Sequence, residues 1–301
     1  MAVTTGEREQ VVPAELGRKK RRFRPRLIPH VPIAILVIVV AVAILAPLLA
    51  PHDPARGTLV DSLLPPAWDA DGTIEYPLGT DANGRDVLSR LIYGTRISAI
   101  VVVFGVILTG LIGTAVGLLA GYFGGVWDAI LMRLVDTILS IPPVLLALAI
   151  IGALGASLQN VLLVIVITAW VGYARIIRAE ALRLRNADHV LLARVGGCGW
   201  FRILRVHIFP NVVNTLVVYA TLTIATVVIY EASLSFLGLG VRPPDASWGG
   251  MISEGRGHMN TAWWLTVIPG IALLLLCVSA NLLGDWLRDR LDPRLRNVGG
   301  S

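Results

Sequence analysis

Six long apolar runs alternate with polar segments along this chain of 301 residues. None of the runs contains Asp, Glu, Lys or Arg. About 20 helical residues span a hydrocarbon layer about 30 Å thick, whereas strands of a membrane barrel would alternate apolar and polar residues. The pattern therefore predicts an all-α polytopic membrane protein with six transmembrane helices, at 31–50, 97–121, 137–157, 158–174, 212–230 and 261–284.

The polar segments between the runs differ in charge. Residues 1–30 hold eight Lys/Arg against three Glu, and 175–210 hold seven Arg against two acids, whereas 51–95 hold three Arg against seven acids. Positively charged loops stay in the cytoplasm. We therefore expect both termini in the cytoplasm, with this organisation: basic tail 1–30, first transmembrane helix 31–50, extracytoplasmic loop 51–96, five-helix core 97–286 with cytoplasmic loop 175–210 and extracytoplasmic loop 233–262, and cytoplasmic tail 287–301.

Composition agrees with membrane insertion, since 55% of the residues are hydrophobic, 15% are charged and the mean hydropathy is +0.73. A soluble domain normally carries about a quarter charged residues. The first run is too long for a typical signal-peptide core and five more follow, so we interpret it as an uncleaved anchor. The basic tail sets topology and can attract lipid headgroups, and nucleic acid is not an expected partner.

Catalytic and cofactor motifs are missing from the sequence. The only lysines are Lys19 and Lys20, in the tail, so no phosphate-binding P-loop can form. Cys198 and Cys277 are too isolated to suggest a metal site. We predict that this chain is not an enzyme and holds no cofactor or metal.

Ionisable side chains are also missing from the middle of the predicted spans, because Asp136, Glu231 and Asp285 all fall at span ends. Proton-coupled transporters usually carry such groups at mid-membrane. A stand-alone secondary transporter or channel is thus a remote alternative, and the energy for any uphill transport is expected to come from another polypeptide.

The cytoplasmic loop predicts two short helices around a glycine break. Asp188 is the expected N-cap of a helix over 189–195, Gly-rich residues 196–199 interrupt it, and a second helix over 200–209 is expected to stop at Pro210. Two interpretations stay open at this point. The helices could lie in the membrane interface with Trp200 and Phe201 at headgroup depth, or they could present these rings to a cytoplasmic protein.

The same loop resembles the "EAA" loop of ABC-importer membrane subunits, whose pattern is E-A-A, three residues, G, nine residues, I-x-L-P. Ala193, Gly197 and Pro210 match with both spacings kept, whereas Leu191 and Leu192 stand where the pattern has Glu-Ala. The resemblance implies that the loop couples to a cytoplasmic ATPase, through Asp188, Ala193, Arg194, Gly197, Trp200, Phe201, Arg202, His207 and Pro210. It also suggests that Gly197→Asp uncouples transport by placing a charge in a close helix contact.

Three further segments resemble the dipeptide/oligopeptide permease family, and in particular its "C" permease. They are PLGTDANGRDVLSRLIYGTRIS (77–98), LSFLGLGVRPPDASWGGMI (234–252) and ANLLGDWLRDRLDPRLR (280–296). The resemblance implies a type I ABC importer transmembrane subunit of the bacterial cell membrane that imports di- or oligopeptides, with nickel–chelate, glutathione or haem as alternative cargo. It further implies a homologous second permease, one or two ATPases that bind ATP and Mg, and an extracytoplasmic binding protein.

The resemblance assigns the two outer loops to binding-protein contact and the outer gate. Thr80 or Asp81 is the expected N-cap of the following helix. Gly and Thr residues over 105–121 suit close helix packing, and Pro142–Pro143 and Pro269 suggest bends. The outer-loop candidates are Thr80, Asp81, Arg85, Asp86 and Trp248.

Overall fold

The computed structural model of the chain describes residues 29–242 and 244–291. The predicted tails 1–30 and 287–301 lie largely outside these ranges. The described residues form helices joined by loops and contain no strand, only two isolated bridges in the loop that precedes the second long helix. The helices are α1 His30–Leu49, α2 Val87–Phe123, α3 Gly125–Leu139, α4 Pro143–Leu154, α5 Leu158–Leu184, α6 Asp188–Val195, α7 Trp200–Arg202, α8 Phe209–Phe236, α9 Trp248–Gly255 and α10 Trp264–Leu291.

Five helices among the described residues are long and apolar enough to cross a membrane, and the pair α3–α4 adds a sixth crossing if it counts as one span. The third run was predicted as one helix over 137–157 with a bend at Pro142–Pro143. The bend is confirmed, since α3 and α4 meet there at 81°, but the single continuous helix is wrong. Pro142 and Pro143 lack the N–H groups that would continue the α3 hydrogen-bond ladder, and Pro143 instead begins α4.

Helices α2 and α5 run parallel and lie very close together. A Cβ built on Gly105 would meet Ile165, one on Gly117 would meet Ala174, and one on Gly121 would meet Ala181. The predicted close packing of the 105–121 stripe is therefore confirmed. Since two consecutive long helices can run parallel only if the chain returns between them, α3 and α4 together carry it back along the bundle.

Several helices extend beyond the apolar runs that predict them. The loop predicted over 51–96 ends at Asp86, because α2 already begins at Val87, and the loop predicted over 175–210 shrinks because α5 continues to Leu184. The loop over 233–262 likewise starts after Phe236, and α10 extends to Leu291, into the predicted tail. An apolar run indicates only the part of a helix that contacts hydrocarbon. The helix itself continues beyond the run, because polar residues with good helix propensity maintain the backbone hydrogen bonds.

Apolar clusters hold the two ends of the bundle. One end packs the start of α2 against α9 and the start of α10, where Trp248 and Trp264 are buried. The other end packs the last turns of α5 against α6 and the start of α8, through Ile177, Val190 and Ile208. These two ends carry the two sets of candidate residues.

Candidate functional site

Asp81 organises the loop that precedes α2. Its Oδ1 accepts hydrogen bonds from the backbone N–H groups of Asn83 and Arg85, at 2.8 and 3.0 Å. Its Oδ2 accepts from Arg85 Nε at 2.7 Å and from the Arg90 guanidinium. All three side chains of this cluster are buried. Paired and hydrogen-bonded charges of this kind hold a loop in one conformation, because breaking any pair would strand a buried charge.

Glu254 on α9 joins this cluster to the second outer segment. Its carboxylate accepts from Arg85 Nη2 at 2.8 Å and from Arg90 Nη2 at 3.2 Å. The Glu254 side chain is 40% exposed, whereas Arg90 is 2% exposed. A cavity of about 380 Å³ opens between these residues. The four charges therefore fasten the 77–90 segment to α9, with Glu254 at the solvent edge.

Asp86 is the N-cap of α2, which corrects the prediction of Thr80 or Asp81. Its carboxylate accepts from the backbone N–H groups of Leu88 and Ser89, at 3.2 and 3.0 Å. Thr80 instead lies in a tight backbone crossing, where its Oγ1 accepts from the Leu64 N–H and donates to the Asp61 carbonyl. Asp81 lies five residues before the cap position, and its carboxylate binds Arg85 and Arg90 instead.

Trp248 is buried and connects α9 to α2. Its indole N–H donates to the Leu91 carbonyl at 3.0 Å, and its ring lies against Gly94. Trp264, at the start of α10, makes a similar contact: its indole N–H donates to the Thr80 carbonyl at 3.2 Å. The five outer-loop candidates thus lie at one end of the bundle, and each is buried.

At the other end, α6 has one buried and one exposed face. Val190 is fully buried against α5 and the start of α8, whereas Leu192 is 71% and Val195 88% exposed. Asp188 is the first residue of α6 and not its N-cap; Ala187 takes that position and no side chain caps the helix. Asp188 thus contributes a negative charge in the first turn, where the helix dipole favours it.

Gly197 ends α6 in a left-handed turn, with φ at +79°. The N–H of Cys198 bonds the Ala193 carbonyl and that of Gly197 bonds the Arg194 carbonyl, both at 3.0 Å, which is the Schellman arrangement. Apart from Gly197 itself and its two chain neighbours, no described residue has an atom within 4 Å of a Cβ built on Gly197. The expected close helix contact at Gly197 is therefore absent within the described chain, and the glycine is needed for its backbone conformation.

The second short helix does not stop at Pro210. Residues Ile203–Ile208 form a π-helical turn that leads directly into α8, and the Phe209 N–H bonds the Leu204 carbonyl five residues back. Pro210 has no N–H to donate to Val206 and its ring would clash with that carbonyl, so widening the turn removes the conflict. The helical segment from Trp200 to Phe236 is thus one continuous unit.

Trp200 and Phe201 lie half exposed beside the end of α2. The Trp200 ring is 5.5 Å from that of Phe123 and 5.7 Å from that of Phe201. Arg194 lies 5.7 Å over the Tyr122 ring, Arg202 is exposed, and His207 is partly buried. The structure therefore brings the coupling candidates together in one segment of about 20 residues.

Three interactions of acidic side chains were not predicted from the sequence. Glu254 pairs with Arg85 across 169 positions, and Asp128 pairs with Arg178, at 2.6 Å from its Nη2, across 50 positions. Glu231, five residues before the end of α8, is buried, and Ser235 Oγ donates to its Oε1 at 2.7 Å. No local spacing in the sequence signals these contacts.

Comparison with known proteins shows which family this chain resembles. The family model described as "binding-protein-dependent transport system inner membrane component" matches residues 113–297. The chain is 44% identical over 261 residues to a dipeptide transport system permease protein DppC of Haemophilus influenzae, covering 87% of this chain and 88% of the relative. It is 40% identical over 263 residues to a di/tripeptide permease DppC of Pseudomonas aeruginosa, covering 87% of each chain.

Solved structures share the fold at lower identity. An inward-facing MetNI methionine ABC transporter matches with a TM-score of 0.56 and 19% identity, over 67% of this chain and 96% of that chain. An amino acid ABC transporter matches with a TM-score of 0.53 and 15% identity, over 67% of this chain and 94% of that one. The helical architecture, the family match and the similarity over most of the chain together show that this protein belongs to the family of inner membrane components of binding-protein-dependent ABC transport systems.

Proposed function

We propose that this chain is the permease subunit of an ATP-driven importer of di- and oligopeptides in a bacterial cell membrane. The relatives named as dipeptide and di/tripeptide permeases support the cargo, since their similarity extends over 87% of this chain. In this proposal the chain forms half of a translocation pathway, and a homologous second permease forms the other half. ATP and Mg are bound by one or two cytoplasmic ATPases and not by this chain.

The charge pattern supports the orientation of the bundle. The segment with α6 and α7 carries seven Arg against two acids over 175–210, so we assign that end to the cytoplasm. The end with Asp81, Glu254 and Trp248 then faces the binding protein, and both termini are cytoplasmic.

The geometry of α6 is the observation that carries the coupling role. This short helix is anchored by Val190 and leaves the side chains of Leu192 and Val195 exposed, without a partner surface among the described residues. Unpartnered apolar side chains of this kind suit a groove on another protein. The continuous helix from Trp200 to Phe236 would transmit a displacement of this segment to the pathway as a rigid-body movement.

The outer segments would act together as a gate. The Asp81–Arg85–Arg90–Glu254 cluster joins the loop before α2 to α9, so a binding protein that contacts either segment moves both. Glu254, at the exposed edge of the cluster, is the residue that a docking protein could reach first.

Transport in proteoliposomes tests the function. The transporter, purified by a tag on this chain and supplied with its binding protein, should accumulate radiolabelled dialanine when ATP is inside the vesicles, and not under an ion gradient alone. Uptake of a nickel–chelate, glutathione or haem in place of dialanine would overturn the peptide assignment. Uptake by the purified single chain without ATPase would overturn the whole proposal.

Co-purification of the ATPase tests the docking role of α6. Val195→Asp should lose the ATPase during purification in detergent, because a carboxylate would be buried in an apolar contact. Ile74→Asp is the matched control, since Ile74 is 90% exposed in the loop at the opposite end. Equal ATPase retention by both variants would contradict docking through α6.

A further inference from the structure

An apolar groove lies beside the cytoplasmic end of α2; it shares Trp200 with the coupling candidates, but its lining contains no residue of α6. It has a volume of about 340 Å³ and is lined by Ala115, Leu118, Leu119, Trp200, Leu204 and Arg205, among others. Ala115 precedes the end of α2 by eight residues, or about 12 Å along the helix. The groove therefore extends about two helical turns back from the end of α2.

Charge is concentrated at one edge of this groove. Arg205 is part of the lining, Arg202 lies three residues earlier, and both are exposed. Neither has an ion-pair partner within the residues that the structure describes. Other arginines of this end are engaged: Arg178 pairs with Asp128, and Arg183 with Glu180.

Aromatic rings also line the groove, among them Trp200 and Phe201. Trp200 contacts Phe123 and Phe201, and these rings lie where α2 ends. Trp side chains favour the headgroup level of a bilayer because one edge is polar and the rest is apolar.

We propose that this groove binds one anionic phospholipid. An acyl chain would lie along Ala115 and Leu119, and the phosphate would accept hydrogen bonds from Arg202 and Arg205. The two unpaired guanidinium groups favour a lipid with an anionic headgroup over one with a zwitterionic headgroup. The apolar lining of the groove favours a lipid over free phosphate, since only a lipid has an acyl chain that can cover these side chains.

Photo-cross-linking in nanodiscs tests this proposal. The intact transporter is placed in phosphatidylcholine that contains a trace of phosphatidylglycerol with a photoactivatable acyl chain, or the matched phosphatidylcholine probe. Labelled peptides are then located by mass spectrometry. We expect the phosphatidylglycerol probe to label the peptide with Ala115 and Leu119 at about 25 times the yield of the other probe, which is the product of the contributions of the two arginines. Each arginine should contribute about fivefold, because a basic residue near an anionic surface gains about 1 kcal/mol.

Two pairs of variants separate charge from shape. Arg202→Gln with Arg205→Gln should lower phosphatidylglycerol labelling to the phosphatidylcholine level, whereas Arg133→Gln, at an exposed arginine on α3, should change nothing. Ala115→Trp should fill the groove and lower both yields, whereas Leu111→Trp, one turn earlier and outside the groove, should not.

Three results would overturn the proposal. Equal labelling by the two probes in the unmodified protein would show no preference for charge. Equal losses in the Arg133 and Arg202/Arg205 variants would show only a general surface potential. Absence of labelling in the groove, with labelling elsewhere on α2, would show that a protein surface covers it.

Discussion

Replacement of Arg90 by Met probes how firmly the outer loop is fastened to α9. Arg90 is 2% exposed and donates to both Asp81 and Glu254, so its removal leaves two carboxylates with fewer partners. Breaking a buried ion pair by deleting one partner costs about 3–5 kcal/mol. We expect the lower end, about 3 kcal/mol, because Asp81 keeps Arg85 at 2.7 Å and two backbone N–H donors.

Two further variants calibrate this magnitude. Glu254→Gln should cost less than about 1 kcal/mol, because its side chain is 40% exposed and water replaces the lost charge interaction. Asp136→Asn should cost about 0.5 kcal/mol or less, since Asp136 and its partner Arg175 are both more than half exposed.

The free energy of unfolding is measured by SDS titration of the purified protein in mixed micelles, followed by far-UV circular dichroism. The combined Arg90→Met and Glu254→Gln protein should be no less stable than Arg90→Met alone, because the second change then removes a carboxylate that has lost one of its donors. If Arg90→Met cost no more than Asp136→Asn, the cluster would not be a buried fastening and the reasoning would fail.

Three other changes test local features. Gly197→Val should reduce ATP-driven uptake more than Gly197→Asn, since a left-handed residue costs a branched side chain about 1–2 kcal/mol and Asn tolerates it; equal uptake would contradict the role of φ. Gly117→Val should destabilise the protein by about 1–3 kcal/mol in the SDS titration, because its Cβ would lie 2.7 Å from the Ala174 oxygen, whereas Gly152→Val, with open space around it, should cost less. Asp86→Ala should cost about 1–2 kcal/mol through the lost N-cap in the same assay, and no loss would show that water replaces it.

Local patterns predicted the helical class and much of the α6–α8 segment. An apolar run of about 20 residues indicates a transmembrane helix directly, because a helix of that length crosses the hydrocarbon layer and must be apolar along its whole length. The glycine break at 196–199 was also readable, since only glycine takes a positive φ at low cost. The N-cap predictions at Asp188 and at Thr80 or Asp81 were wrong, because the exact first residue of a helix decides which side chain can accept from the first-turn N–H groups.

The membrane class, the apolar runs, the sign of the charge on the loops and the glycine turn can all be read from the amino-acid sequence, because each depends on residues that are neighbours along the chain. The 81° angle between α3 and α4, the pairing of Glu254 with Arg85 and Arg90, and the burial of Glu231 in α8 became visible only in the folded structure. These features depend on which helices pack together. A contact across more than 160 positions leaves no periodic trace in the sequence, because its free energy is gained only after the whole bundle has assembled.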